Sequence, residues 1–434
     1  MKKLFFIKIF IATFLVTAFA QDDVYPAKEQ KGLLFITNAT IHVGNGQVIE
    51  NGIIQVKDGK IEKVGQNIPI PADDVKVYDA KGKQVYPGLI LPASDLGIRE
   101  IGGNAVRGSN DFFELGEYNP NVRSIVAYNA DSRITGTLRA NGILLASTIP
   151  QGGLIPGSSS VVQLDAWSYE DAAYKTDIGI HFNMPSLLSR QRGGPASRQQ
   201  NDPVKQGLET IEEVKQFFRQ GKAYLQEATH KETNLKFEAL RGLFEKKQKF
   251  FIHCDIVRQL LIAIDFAKEF GFDMVIVGAS ESYQVADLIK QNNIAVILNQ
   301  EHSLPTLDDD DVDQPYKTPA ALQKAGVLFA LTDNDDGSRY RNLPFNAGTA
   351  ATYGLTKEEA LTAITLNAAK ILGIADRTGS IEAGKDANIV ICEGDILDMR
   401  TSVVTDAFIQ GRKVSLENKQ TQLYERYRQK YGLK

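Results

Sequence analysis

Apolar and polar positions follow two different rhythms along this 434-residue chain. From Gly32 to Val85 the runs are short. Leu34-Phe35-Ile36 stops before Asn38, Ile53-Ile54-Gln55-Val56 stops before Asp58-Gly59, Lys60-Ile61-Glu62-Lys63-Val64 follows, and Val75-Lys76-Val77-Tyr78 comes next. Asp-Gly between two such runs favours positive φ and a tight hairpin, so this stretch reads as antiparallel sheet. The same texture returns from Gly384 to Ile391 and from Ala407 to Val414. Between these ends, apolar strand-like runs alternate with segments of helical spacing. Phe250-Phe251-Ile252 precedes a helical Ile256 to Phe270, Met274-Val275-Ile276-Val277 precedes Tyr283 to Gln291, and Ile294 to Leu298 follows. Such alternation is the signature of βα units around a parallel sheet, and its repetition over roughly 250 residues predicts a (β/α)8 barrel.

The expected fold class is therefore α/β, a (β/α)8 TIM-like barrel over 89–374 with a composite β-sandwich. The sandwich would take 28–88 from the N-terminal side and 375–416 from the C-terminal side, with 417–434 as a charged, tyrosine-rich surface helix or tail. One late helix is well marked. Thr356 and Glu359 have capping-box spacing, Leu361, Ile364, Ala368, Ile371 and Leu372 recur at helical intervals, and Gly373 is a natural stop. Two segments read as insertions: Pro185 to Pro203, rich in Ser, Arg, Gln and Gly, and the acidic run Asp308 to Asp311 with Asp313. The latter lacks the alternating ligands and late glutamate of an EF-hand loop and reads as a solvated acidic loop.

Composition narrows the setting. Lys2 and Lys3, an apolar run from Leu4 to Val16, and Ala18-Phe19-Ala20 predict a signal peptide over 1–20, cleaved before Gln21. Transport across the inner membrane to the periplasm follows from that pattern. No second run is long enough to span about 30 Å of hydrocarbon, so no membrane span is expected in the mature form. A net charge of -4 with interspersed signs gives no reason to expect nucleic acid or an anionic membrane surface as partner. The two cysteines, Cys254 and Cys392, are too few for a disulfide framework and read as buried thiols.

The chemistry lies in Gln84-Val85-Tyr86-Pro87-Gly88-Leu89-Ile90-Leu91-Pro92-Ala93-Ser94-Asp95-Leu96-Gly97 and in two late runs, Leu361 to Gly373 and Gly379 to Asn388. These resemble the amidohydrolase superfamily, imidazolonepropionase-like members in particular. The first resembles the family's opening barrel strand, and the late pair resembles its junction between the last barrel helix and the returning sandwich. In that family, histidines after strand 1, often a carboxylated lysine on strand 4, histidines on strands 5 and 6 and an aspartate on strand 8 hold divalent metal. Here the strand-1 positions are Ala93 and Asp95, strand 5 keeps His253, strand 6 has Gly278, strand 8 keeps Asp333, and no lysine on strand 4 fits. The resemblance thus implies a degenerate metal site of Asp95, His253 and Asp333, the minimum of three protein ligands for a catalytic ion, zinc first among candidates, with one ion or none bound. His302, after strand 7, reads more readily as a surface histidine than as a further ligand.

Two functions follow from the resemblance. In one, the protein is an exported hydrolase of C–N bonds in a small cyclic amide or peptide-like substrate. Metal would activate a water and Asp333 would carry its proton to the leaving amine. In the other, the loss of ligands at 93 and 278 marks a catalytically retired barrel that binds a small ligand or a partner, either as a homo-oligomer or beside an active relative. Each residue also has a plainer role available, with Asp95 pairing to Arg99 or Arg107, Asp333 capping loop amides, and His253 hydrogen-bonded within the barrel mouth.

Overall fold

The computed structural model describes residues 25–72, 75–100, 111–188, 202–299, 302–305, 310–333, 337 and 339–433. The signal-peptide expectation, Arg107 and most of the Pro185 to Pro203 segment lie outside them. One sheet joins β1 (Leu33–His42), β2 (Val48–Lys57), β3 (Lys60–Gly65), β4 (Lys76–Asp79) and β5 (Gln84–Pro87) to the late strands β14 (Ile389–Cys392), β15 (Val404–Ile409) and β16 (Arg412–Val414). The two chain ends meet where β14 lies antiparallel to β5, Ile389 opposite Pro87. Asp58 and Gly59 both take positive φ, as a two-residue hairpin turn between β2 and β3 requires. Asn38, which reads as a strand end, instead sits at φ 54 in a bulge, and β1 runs on through it to His42.

The second sheet has eight strands in chain order: β6 (Leu89–Ser94), β7 (Ile143–Thr148), β8 (Ser158–Gln163), β9 (Ala173–Asn183), β10 (Lys249–Cys254), β11 (Met274–Gly278), β12 (Ala295–Leu298) and β13 (Phe329–Leu331). It is a nearly closed barrel in which the last strand reaches the first through Thr332 Oγ1, donating to Ala93 O at 2.9 Å. β8 departs from an all-parallel barrel, lying antiparallel to both neighbours. Its reversal sends Gln163 and the following Asp165 toward the sandwich rather than the mouth. Helices Pro203–Gln226 and Val257–Phe270 cover one side with an aromatic layer in which Phe250 meets Phe218, Phe266 and Phe272 at 5.2, 5.3 and 5.3 Å. Fully burying such rings stabilises the fold by roughly 1.5–3 kcal/mol each.

The late helix begins as expected, with Thr356 and Glu359 forming a reciprocal capping box. It then divides into Lys357–Ala363 and Leu366–Leu372. The break has a cause: Ile364 O leaves the helical ladder to accept from Ile90 N of β6 at 2.9 Å. The helix end is thereby tied to the barrel's first strand. Gly373 closes the second helix at φ 70.

Three polar joints fasten sandwich to barrel. Asp165 accepts from Arg412 Nη1 and from Ala27 N, both at 2.9 Å, with Arg139 Nη1 3.6 Å away. Asp386 accepts from Tyr174 OH at 2.6 Å, Lys60 Nζ at 2.9 Å and Arg377 Nη2 at 3.1 Å. His42, at the end of β1, meets Glu358 Oε1 at 2.6 Å and Gln84 Oε1 at 2.9 Å while stacked on Tyr86. Both of its ring nitrogens thus face acceptors, the arrangement of an imidazolium. Cys254 and Cys392 are buried free thiols. Among the described residues no helix is long and apolar enough to cross a membrane.

Candidate active site at the barrel mouth

Strand alternation decides which side chains reach the barrel interior. Phe250 packs outward among the helices, so its neighbours Phe251 and His253 point inward. His181 of β9 lies opposite Phe251 in the parallel register and stacks flat on its ring, centroids 4.7 Å apart. From there His181 Nδ1 meets His253 Nε2 at 2.8 Å and His181 Nε2 meets Ser159 Oγ of β8 at 2.7 Å. Burial holds both rings neutral: His253 is pushed down to about 4, and His181 falls well below its ordinary value through burial and the neighbouring ring. Two neutral imidazoles sharing one N–H form a relay across three adjacent strands.

His181 stands on strand 4 of the barrel, where the family resemblance implies a lysine. The sequence carried a signal for it, since Ile178-Gly179-Ile180-His181-Phe182 has the same form as Phe250-Phe251-Ile252-His253, an apolar run with one histidine at an inward position.

Asp95 and Asp333 follow β6 and β13, and both are buried. Tyr340 OH donates to Asp95 Oδ1 and Asp95 N donates back to Tyr340 OH, while Arg99 Nη1 lies 3.4 Å from Asp95 Oδ2. Asp333 Oδ2 has Asn346 Nδ2 at 3.4 Å and Arg339 Nε at 3.7 Å. Arg339 and Tyr340 are consecutive, so one short turn serves both aspartates. Of the two arginines expected near Asp95, Arg99 pairs with it and Arg107 lies outside the described residues. His302 Nε2 hydrogen-bonds Thr349 Oγ1 at 2.7 Å, within electrostatic reach of Asp333 and Arg339.

Ala93 is fully buried, and its carbonyl is committed to Thr332. Gly278 lies at φ 99, a conformation side chains rarely adopt, and a Cβ built there would stand 2.6 Å from Asp255 Oδ1. The carboxyl of Asp255 therefore fills the space a side chain at 278 would need. Burial raises its pKa, against hydrogen bonds from Ser280. No residue between 274 and 281 offers a histidine in exchange.

These arrangements answer whether the site suits a divalent ion. Asp95 is closed by a phenol and a guanidinium, Asp333 by a guanidinium and an amide, and His253 by a second histidine. The expected convergence of Asp95, His253 and Asp333 on one ion is not what the geometry presents. Among the described residues, no three His, Cys, Asp or Glu side chains form a group that could hold a metal. The donor set does not fit the ion that the fold implies, because its acids already carry protein cations.

The fold is the barrel-plus-sandwich of a solved amidohydrolase, with Ala93 and Gly278 where the resemblance implies histidines. The chain is similar to the amidohydrolase superfamily and, over about a quarter of its length, to imidazolonepropionases. The Amidohydrolase family model matches residues 319–414. An imidazolonepropionase from Phocaeicola vulgatus is 40% identical over 110 residues, 25% of either chain. One from Thermoplasma volcanium is 38% identical over 86 residues, 19% of this chain and 21% of that one. This chain thus spans about a quarter of the length of the curated relatives it matches. Among solved structures, an amidohydrolase from Thermotoga maritima MSB8 has a TM-score of 0.74 at 28% identity, covering 88% of this chain and 99% of that one. A zinc-bound adenosine deaminase from Xanthomonas campestris, at 16% identity and a TM-score of 0.53 over 93% and 98% of the chains, shares the fold.

Proposed function

We propose that the barrel mouth of this protein binds a small molecule without a resident metal, having exchanged metal-activated hydrolysis for recognition. The observation that carries this reading is the pairing of Asp95 with Arg99 and of Asp333 with Arg339. Two carboxylates without a divalent cation leave two negative charges in a low-dielectric site, and two guanidinium groups restore neutrality. The N-terminal pattern of Lys2, Lys3, an apolar run and Ala18-Phe19-Ala20 supports an exported, periplasmic protein.

Elemental mass spectrometry of tag-free mature protein, purified without chelator and then soaked in zinc, manganese or iron, tests the reading. The expected result is metal far below one ion per chain. Stoichiometric metal that disappears in both Asp333→Ala and His253→Ala would overturn it.

A second reading is favoured by the likeness to the Thermotoga maritima amidohydrolase along nearly its whole length and by the similarity to imidazolonepropionases. In it the protein hydrolyses C–N bonds of a small cyclic amide or peptide-like substrate. It requires the two arginines to leave the aspartates. Turnover of an amide panel that is lost in Asp333→Asn, together with stoichiometric metal, would establish it.

A further inference from the structure

The charge of the whole chain hides a local asymmetry at its C-terminal end. Between 417 and 434, Lys419, Arg426, Arg428, Lys430 and Lys434 stand against Glu417 and Glu425 alone, in a protein of net charge -4. The helix Lys419–Lys430 in this stretch buries none of its residues. Its first turn is anchored. Asn418 caps it through Thr421, Gln420 Oε1 accepts from Thr137 Oγ1 at 3.2 Å, and Gly136 lets the backbone of Glu417 come so close that a Cβ there would lie 3.0 Å from Glu417 O.

Beyond that turn the helix presents Tyr424, Tyr427 and Tyr431 at intervals of three and four, which places them on one face. They are 65%, 51% and 64% exposed, and Leu433 beyond them is 65% exposed. Lys430 Nζ lies 5.8 and 5.2 Å from the rings of Tyr427 and Tyr431. Arg428 pairs with Glu425 at 2.8 Å, whereas Lys419 and Arg426 have no carboxylate partner among the described residues.

We propose that this helix lies on an anionic phospholipid surface, its tyrosine face at the headgroup level and its basic residues on the lipid phosphates. The assignment rests on charge and side-chain type together. Tyrosine has an apolar ring and a polar tip and suits a boundary that is dry on one side, and helical spacing sets Lys430 and Arg428 on its two flanks, with Lys419 and Arg426 further round the helix. A second copy of the same face fits poorly, because it would set one basic stripe against another. The helix is about 18 Å long, too short to span a bilayer and long enough to lie along it.

Flotation of the full mature chain with phosphatidylcholine vesicles, with and without phosphatidylglycerol, tests the proposal. Binding is expected with phosphatidylglycerol only, and is expected to fall away in molar salt. In Arg428→Gln/Lys430→Gln the affinity should drop roughly 25-fold, at about fivefold per charge. Tyr424→Ser/Tyr427→Ser/Tyr431→Ser should also lose binding, with the melting temperature unchanged because these side chains are exposed. Equal binding to neutral vesicles, or no binding to either by a chain whose circular dichroism is native, would overturn the proposal. So would a concentration-dependent dimer that both variants abolish, which would assign the face to a second copy.

Discussion

Carboxylates meet guanidinium groups at both ends of the barrel, but on different terms. At the sandwich end, Asp165 accepts from Arg412 Nη1 and Ala27 N at 2.9 Å, and the side chains of Arg139 and Arg412 are only 9% and 11% exposed, while Arg377 beside Asp386 is 40% exposed and stands between the two cases. At the mouth, Asp95 and Asp333 are as deeply buried, yet their arginines approach no closer than 3.4 and 3.7 Å and are 51% and 37% exposed. The first kind of pair locks two segments distant in sequence into one fold. The second covers an acid with a cation that solvent also reaches, as befits a replaceable counter-charge. Buried pairs break expensively because the abandoned partner stays in low dielectric, whereas solvated partners relax into water.

The largest effect should come from the sandwich end. Asp165→Ala would strand two buried guanidinium groups and leave Ala27 N without its acceptor, so it should cost about 3–5 kcal/mol, read from the urea midpoint. A loss below about 1 kcal/mol would show that the joint is no different from a surface pair.

Next in size is Gly278→His, the change that would restore a histidine to strand 6. It should destabilise by roughly 1–3 kcal/mol through its positive φ, with further crowding against Asp255. Gly278→Ala should lose a similar amount, because the backbone conformation penalises any side chain. An unchanged melting temperature in both would mean that this strand end tolerates the family's usual residue.

The His42 joint adds a pH dependence. Burial opposes the cation, but the bonds to Glu358 and Gln84 and the charges of Glu358 and Asp395 outweigh it and raise the His42 pKa above 6.5. A raised histidine stabilises the fold fully below its unfolded value of 6.5, and the contribution fades as pH climbs through the higher folded value. His42→Gln should therefore cost about 1 kcal/mol at pH 5 and progressively less above neutrality. A constant difference from pH 5 to 9 would mean that the ring is not charged in the native state. Glu358, Lys357 and Asp395 are the other charged groups around it.

How much of this was legible in the sequence depends on whether local chemistry or tertiary choice was in charge. The Asp58-Gly59 hairpin, the Thr356 capping box and the barrel's strand sequence are local, and they stand as read. The division of the late helix was hidden because Ile364 O is drawn away by Ile90, some 270 positions earlier in the chain. The reversal of β8 was hidden because a reversed strand has the same two-residue rhythm as a forward one. At the mouth, the sequence showed which ligands were missing, but not that Tyr340 and Arg339 would occupy the acids that remained. His181 is hard to single out for a different reason: the resemblance implies a lysine on strand 4, and nothing in the local rhythm marks a histidine there as functional.

The change that decides most about function is at the mouth. Arg99→Ala/Arg339→Ala strands two buried acids, so it should destabilise by about 1–3 kcal/mol, less than Asp165→Ala because water reaches the space the exposed arginines leave. The informative readout is zinc content after soaking. If the arginines stand in for the charge of a metal, removing them leaves Asp95 and Asp333 as an uncompensated acidic pair, and zinc uptake should rise above that of the unaltered protein. Asp333→Asn added to the double variant should return uptake to the baseline. No rise in zinc would mean that the two acids are too far apart, or too firmly held by Tyr340 and Asn346, to act together on any ion. The mouth would then differ from the sandwich end only in exposure, and the arginines would be ordinary ion-pair partners with no counter-charge role.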